Sequence, residues 1–260
     1  MAGQTVIYEK SGHIATVTLN RPEAGNAYNA AMIKELTEVW TDFRTDDEMW
    51  VAIVTGAGDK AFSLGRDRTH LPEGVDNPPL PYRPSLSERD EGVRFLTPKH
   101  FNCWKPLVCA VNGDAVGAAF HLICDSDIVI CSENARFWDE HTIHGSTVVW
   151  EPIQLARKVP YEIAMRMMLM GRAERLDAQR AYQVGLVSEV LPLAELLPAA
   201  REIAATICQN DIYASMGTVE AVYKGQELGM LQGIRQGLLI RQLQNYKRAL
   251  AEGSSPKGSD

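Results

Sequence analysis

The first stretch of the chain alternates between apolar and polar positions with a period of two. Residues 5–9 and 13–19 read as strands, the second through Ile14, Thr16 and Thr18, and Gly12 between them marks a hairpin. Pro22 and Gly25 break that pattern. The period then changes: over residues 29–43 the apolar side chains Met32, Ile33, Leu36, Val39 and Trp40 fall on one face of a helix. Short apolar runs at 50–55, 106–111 and 126–131 read as further strands. Strands that alternate with helical stretches predict βα units and at least partly parallel pairing, an α/β fold. After Glu151 the pattern is almost wholly helical, with expected helices at 153–158, 161–170, 178–184, 195–210, 214–224 and 228–251.

Between Arg68 and Asp90 the periodicity stops, and five prolines (Pro72, Pro78, Pro79, Pro81 and Pro84) stand among mixed charges. A connection of that length predicts a functional lid or an insertion. The polar tail 253–260 reads as frayed. Residues 1–195, with the insertion at 68–90, are therefore expected to form the core, and 196–260 a helical region. The last two helices carry Met216, Val219, Val222, Leu228, Leu231, Ile234, Leu238, Leu239 and Ile240, more apolar surface than the end of a monomer should expose. A subunit interface is expected there.

Composition narrows the function classes. With 45% hydrophobic and 23% charged residues, the 260-residue chain can bury a sizeable core without disulfides. A formal charge of −7 argues against the broad basic surface that nucleic acid needs, so no nucleic-acid partner is expected. No apolar run is long enough for a membrane span. The opening residues also lack the basic-then-apolar order of a signal peptide, which points to the cytoplasm. The five cysteines, Cys103, Cys109, Cys124, Cys131 and Cys208, form no C-x-x-C pair and read as reduced thiols. His13, His70, His100, His121, His141 and His144 show no H-E-x-x-H spacing; His141-x-x-His144 alone is weak, and no metal site is expected.

Two glycine-bearing segments carry the candidate chemistry. In Ala61-Phe62-Ser63-Leu64-Gly65-Arg66-Asp67, a glycine in a tight turn lets backbone N–H groups point into a site. In Asn112-Gly113-Asp114-Ala115-Val116-Gly117-Ala118-Ala119, an apolar strand passes through small residues into a helix beginning near Ala118, whose N–H groups suit a developing oxyanion. Each segment alone is a weak signal and reads more readily as close backbone packing.

In this order, the two segments resemble the crotonase (enoyl-CoA hydratase/isomerase) superfamily. The resemblance also rests on Val17-Thr18-Leu19-Asn20-Arg21-Pro22-Glu23, Asn26-Ala27, and Lys105-Pro106-Leu107-Val108-Cys109-Ala110-Val111-Asn112-Gly113. Asp127-Ile128-Val129-Ile130, Ser132-Glu133-Asn134-Ala135-Arg136-Phe137 and Ala178-Gln179-Arg180-Ala181-Tyr182-Gln183-Val184-Gly185-Leu186-Val187 extend it over nearly the whole chain. It implies a spiral of ββα units with a helical C-terminal region that builds trimers or paired trimers. It also implies an acyl-CoA substrate, with CoA arriving as part of that substrate and no separate cofactor. The backbone N–H groups of Arg66 and Ala118 would form an oxyanion hole. Ala27, Ala61, Phe62, Ser63, Leu64, Asp67, Gly117 and Trp138 would lie around the substrate.

The resemblance also implies two catalytic glutamates, and this chain departs there. His121 stands at the first position and His141 at the second, with Asp139 and Glu140 immediately before it. A histidine flanked by a carboxylate fits a base held in one tautomer. His121, Glu140 and His141 are thus the acid/base candidates, while a structural His121 and a solvated Glu140 are the plain alternatives. Trp138, where glycine is common, reads as a pocket wall or as core. Three activities stay open: an enoyl-CoA hydratase/isomerase-type lyase, a hydrolase of β-dicarbonyl compounds or thioesters, and a silent acyl-CoA-binding fold.

Overall fold

A computed structural model describes residues 4–67 and 96–253. The 68–90 insertion, His70 and most of the polar tail lie outside the described residues. Strands β1 (Val6–Ser11) and β2 (Ile14–Leu19) form the expected hairpin around Gly12, which has a positive φ of 56°. β2 leads through an irregular turn to α1 (Ala30–Thr45). Asn29 caps α1, its side chain accepting a bond from the Met32 amide at 2.9 Å. Met32, Leu36, Val39 and Trp40 are buried on one face of α1, as the period predicted, and Phe43 extends that stripe, while Ile33 is only partly buried against the core. Glu35, on the same helix, accepts from the Thr5 and Val6 amides and ties the first strand to it.

β3 (Val51–Gly56), β5 (Leu107–Val111), β7 (Ile128–Ser132) and β10 (Glu189–Leu191) complete a six-stranded sheet of order β1-β2-β3-β5-β7-β10, parallel except for the first hairpin. Every residue of β3 and β5 is buried, which explains their continuous apolar runs: both sheet faces are covered. One face meets α1 and the main core. The other meets α6 (Leu193–Ile207), whose Leu196, Ala200 and Ala204 pack on Val51, Ile53, Val108, Ala110 and Ile130.

A second sheet was not foreseen. β4 (Ala61–Ser63), β6 (Asp114–Val116), β8 (Arg136–Trp138) and β9 (Leu176–Asp177) are two or three residues long, too short to show a period. They turn both glycine segments toward the same side. α2 (Ala119–Asp125) follows β6 and is buried along its whole length. α3 (Trp150–Leu155) begins three residues earlier than expected, because Pro152 sits in the first turn, where a proline is tolerated. α4 (Tyr161–Met170) and α5 (Ala178–Gln183) lie close to expectation.

α7 (Ile212–Gly225) and α8 (Met230–Ala251) pack chiefly on one another. Ile240 is covered in that contact, but Leu231, Ile234, Leu238 and Leu239 are exposed. Among the described residues no helix is long and apolar enough to cross a membrane. The five cysteines are free thiols, four of them buried.

Candidate active site

Two backbone segments meet at the ends of β4 and β6. Tyr28 forms an isolated parallel bridge to Arg66: its N–H donates to the Gly65 carbonyl, and the Asp67 N–H donates to its carbonyl. That pairing turns the amide of Arg66 away from Tyr28. Arg21 holds the segment in place, reaching Asp67 at 2.9 Å in a largely buried ion pair and donating to the Ala27 carbonyl. Asn26, itself at φ 54°, donates to the carbonyls of Ala57 and Ala61 and accepts from the Arg21 amide.

Gly65 has φ 79°, and a Cβ there would lie 2.7 Å from the Val116 carbonyl oxygen and 3.1 Å from the Ala118 nitrogen. Only glycine permits this approach. Gly117, at φ 53°, turns the chain from β6 into α2, and its N–H donates to the Trp138 carbonyl. The segments that carry the Arg66 and Ala118 amides therefore lie against one another.

They form part of the wall of a cavity of about 640 Å³, together with Leu64, His121, Glu140, His141, Trp150 and Glu151. Ala27, Ala61, Phe62 and Ser63 are buried behind this wall, as is Asp67 in its pair with Arg21. Trp138 is also buried; its ring stands against Arg175, 4.6 Å from the guanidinium carbon.

The loop after β8 sorts the acid/base candidates. Asp139, fully buried, accepts from the His141 backbone N–H through Oδ1 and faces His141 Nδ1 through Oδ2, both at 2.8 Å. A carboxylate on Nδ1 fixes the tautomer of the neutral ring, leaving the lone pair on Nε2. Glu140 points elsewhere. It takes a two-pronged ion pair from Arg172 at 2.7 and 2.8 Å and a bond from the Trp138 indole N–H. The Arg172 bonds, with Trp138 adding to them, outweigh burial and hold the Glu140 carboxyl down at about 2. Glu140 is thus an anion committed to Arg172, not a group poised to exchange protons near neutral pH.

Nothing in the sequence marked Glu151 as part of the site. It enters in the first turn of α3, only 4% exposed, with Oε1 3.2 Å from His121 Nε2 and 3.9 Å from His141 Nε2. Burial pushes its carboxyl up, but the His121 hydrogen bond and the nearby charges of both imidazoles reverse that and leave it below the usual range. An acidic residue in a first helical turn is too common to signal such a contact. Among the described residues no group of three or more His, Cys, Asp or Glu side chains is arranged to hold a metal ion.

Comparison with known proteins agrees with this arrangement of segments. The family model for enoyl-CoA hydratase/isomerase matches residues 9–245. The chain is 36% identical over 236 residues to (E)-benzylidenesuccinyl-CoA hydratase of Thauera aromatica, covering 90% of this chain and 88% of that protein. It is 34% identical over 227 residues to a short-chain-enoyl-CoA hydratase of Clostridium acetobutylicum, covering 85% and 82%. A crystal structure of an enoyl-CoA hydratase/isomerase from Mycobacterium paratuberculosis superposes with a TM-score of 0.81 at 35% identity, covering 99% of this chain and 98% of that one. With the family model spanning both glycine segments and the histidine loop, the chain belongs to the enoyl-CoA hydratase/isomerase family of the crotonase superfamily.

Proposed function

We propose that the protein is an acyl-CoA lyase of the hydratase/dehydratase type that uses imidazole where the superfamily resemblance implies glutamate. The observation that carries this reading is the close approach of Gly65 to the Ala118 amide on the wall of the cavity that also holds His141. The amides of Arg66 and Ala118 polarise the thioester carbonyl. His141, held by Asp139, draws a proton from water onto Nε2 as the water oxygen bonds to the β-carbon. The double-bond electron pair moves onto the thioester as an enolate, which the two N–H groups stabilise, and the α-carbon is then protonated. Such N–H donors act because they are aimed before charge develops.

The test uses purified protein with crotonyl-CoA and with the acyl-CoA substrates of the relatives. The reading requires loss of the conjugated thioester absorbance without release of free thiol. Calorimetry with acetyl-CoA should show micromolar-range binding, an order-of-magnitude expectation for such ligands. Absence of binding at millimolar ligand would overturn it.

The paired imidazoles favour one second reading, hydrolysis of a β-dicarbonyl C–C bond. His141 would activate water for attack on one carbonyl carbon. The C–C bond would break toward the other carbonyl, leaving an enolate on the same two amides to be protonated at carbon. Turnover of a CoA-free β-diketone, with no change in crotonyl-CoA, would select it. In either case the exposed apolar side of α8 supports assembly into a trimer or a pair of trimers.

A further inference from the structure

The mechanism above leaves Glu151 without a role, yet it is a buried carboxylate that faces both imidazoles. One oxygen, Oε1, faces His121 Nε2 at 3.2 Å and His141 Nε2 at 3.9 Å. The first distance is a hydrogen bond. The second is too long for one, but short enough for a charge interaction, since the Glu151 carboxylate is itself buried. A buried carboxylate without a cation is costly, so an ionised Glu151 calls for a proton on one of the two rings. Asp139 holds the Nδ1 hydrogen of His141, so the nitrogen of His141 that faces Glu151 is the one that gains and loses a proton.

We infer that Glu151 is a positioning residue that couples the two imidazoles, which hold one proton between them and exchange it through Oε1. This rests on the reading of His141 as the base. At rest His121 is the imidazolium, Glu151 the carboxylate, and His141 neutral. His141 takes a proton from the attacking water. His121, which also lines the cavity, gives one to the enolate carbon. The proton on His141 Nε2 then crosses the 3.9 Å gap to Oε1 by way of one water in the cavity and passes on to His121 Nε2, which restores the starting state. Protons taken and given balance, and no oxidant or co-reactant is needed.

The groups that bear on this exchange come from every element around it. Asp139 lies on the far side of His141, and Glu151 and His121 on the near side. Glu140, with Arg172 and His144, follows along the loop, and Arg66 stands on the cavity wall.

Glu151→Gln keeps the shape and an accepting oxygen but removes the charge. Its expected effect is a fall in kcat of about 10²-fold, in the range for a lost acid/base function, with KM changed less than about threefold. NMR titration of the imidazole C–H signals supplies a readout independent of turnover. With Glu151 present, His141→Asn should shift the titration of His121, because the shared proton has lost one of its sites. In Glu151→Gln the two rings should lose that coupling, so that His141→Asn no longer alters the His121 signals. Glu151→Asp, which keeps the charge but draws it back, should recover part of kcat.

A wild-type kcat in Glu151→Gln overturns the inference, and so does a His121 titration indifferent to His141→Asn. If Glu151→Gln fails to fold, the His141→Asn titration still decides. If the wild type turns over no thioester, the acyl-CoA reading fails while the titration still tests the coupling.

Discussion

Replacing Gly65 with alanine attacks the proposed oxyanion hole without touching any side chain that bears charge. The added methyl would sit 2.7 Å from the Val116 carbonyl oxygen, about 0.7 Å short of the 3.4 Å where ordinary contact begins, and 3.1 Å from the Ala118 nitrogen. Both neighbours are backbone, so they cannot swing aside as a flexible side chain would. The left-handed conformation at φ 79° adds about 1–2 kcal/mol of strain for a residue with a Cβ. The segments carrying the Arg66 and Ala118 amides must therefore part by several tenths of an ångström. N–H donors must lie within about 2.7–3.1 Å of the oxyanion, so one is lost, and kcat should fall about 10²–10³-fold.

KM should move only a few-fold, because the lost interaction matters most when charge has developed. Thermal unfolding should show a Tm lowered by about 2–8 °C, from about 1–2 kcal/mol at 2–4 °C each for a chain of this size. Gly117→Ala is the control. Its Cβ would meet His141 Cε1 at 3.4 Å, His141 Nδ1 at 3.7 Å and Asp139 Oδ2 at 3.8 Å, all ordinary contact distances, so it adds backbone strain without the collision. A folded Gly65→Ala protein with wild-type kcat would refute the placement of the oxyanion hole at these amides.

Other substitutions separate the roles in the histidine loop. His141→Ala should lower kcat about 10²–10⁴-fold with little effect on thioester binding measured by calorimetry. Asp139→Asn removes the anion on Nδ1, so the imidazolium of His141 loses support and the acid limb of the kcat/KM profile should move to lower pH, with kcat reduced. Glu140→Gln should leave kcat within a few-fold but cost about 1 kcal/mol of stability, since the exposed Arg172 partner is screened by solvent. Because the folded-state pKa of Glu140 is depressed to about 2, its contribution is full above about 4.5 and fades as pH falls toward 2; wild-type and Glu140→Gln unfolding curves should converge over that window. Light scattering at micromolar concentration should return a trimer or hexamer mass, and a monomer mass would refute an interface on α8.

The large sheet was legible because its central strands are buried on both faces and therefore apolar throughout, as Val51–Gly56 and Leu107–Val111 are. The helix α1 was legible because its buried face repeats at the helical period. The small sheet was not, since its strands are held by pairing and by their place in the fold. The site divides in the same way. The glycines and His141 stood out because a positive φ and an unusual residue in a loop leave local marks. The partnerships did not: Arg172 meets Glu140 across 32 residues, and Glu151 lies 30 residues beyond His121. Of the two carboxylates before His141, the sequence could not say which one held it. Geometry assigns that place to Asp139, because Glu140 is drawn away by Arg172 and Trp138.

These two classes of interaction explain how one framework can carry altered chemistry. The proposed oxyanion hole consists of main-chain amides, and its geometry depends on conformation at Gly65 and Gly117, on the Tyr28 bridge and on the Arg21–Asp67 pair. Side chains at Arg66, Ala118 and Ala119 are therefore open to change, provided the backbone angles persist. The acid/base candidates have the opposite property. An imidazole at 121 or 141 differs from a carboxylate in charge, in reach and in the partner it needs, so a histidine that takes up a proton at either site is stabilised by a nearby anion. Asp139 supplies one for His141, and Glu151 faces both rings from a different helix. Replacing His121 and His141 together with glutamate would therefore not restore a carboxylate pair to working order: with Asp139, Glu140 and Glu151, five acidic groups would then crowd one cavity, and mutual repulsion would raise their pKa values. Recovery of activity in that double variant should require neutralising Asp139 and Glu151 as well, and an active double variant that keeps both would show that the anions do not serve the imidazoles.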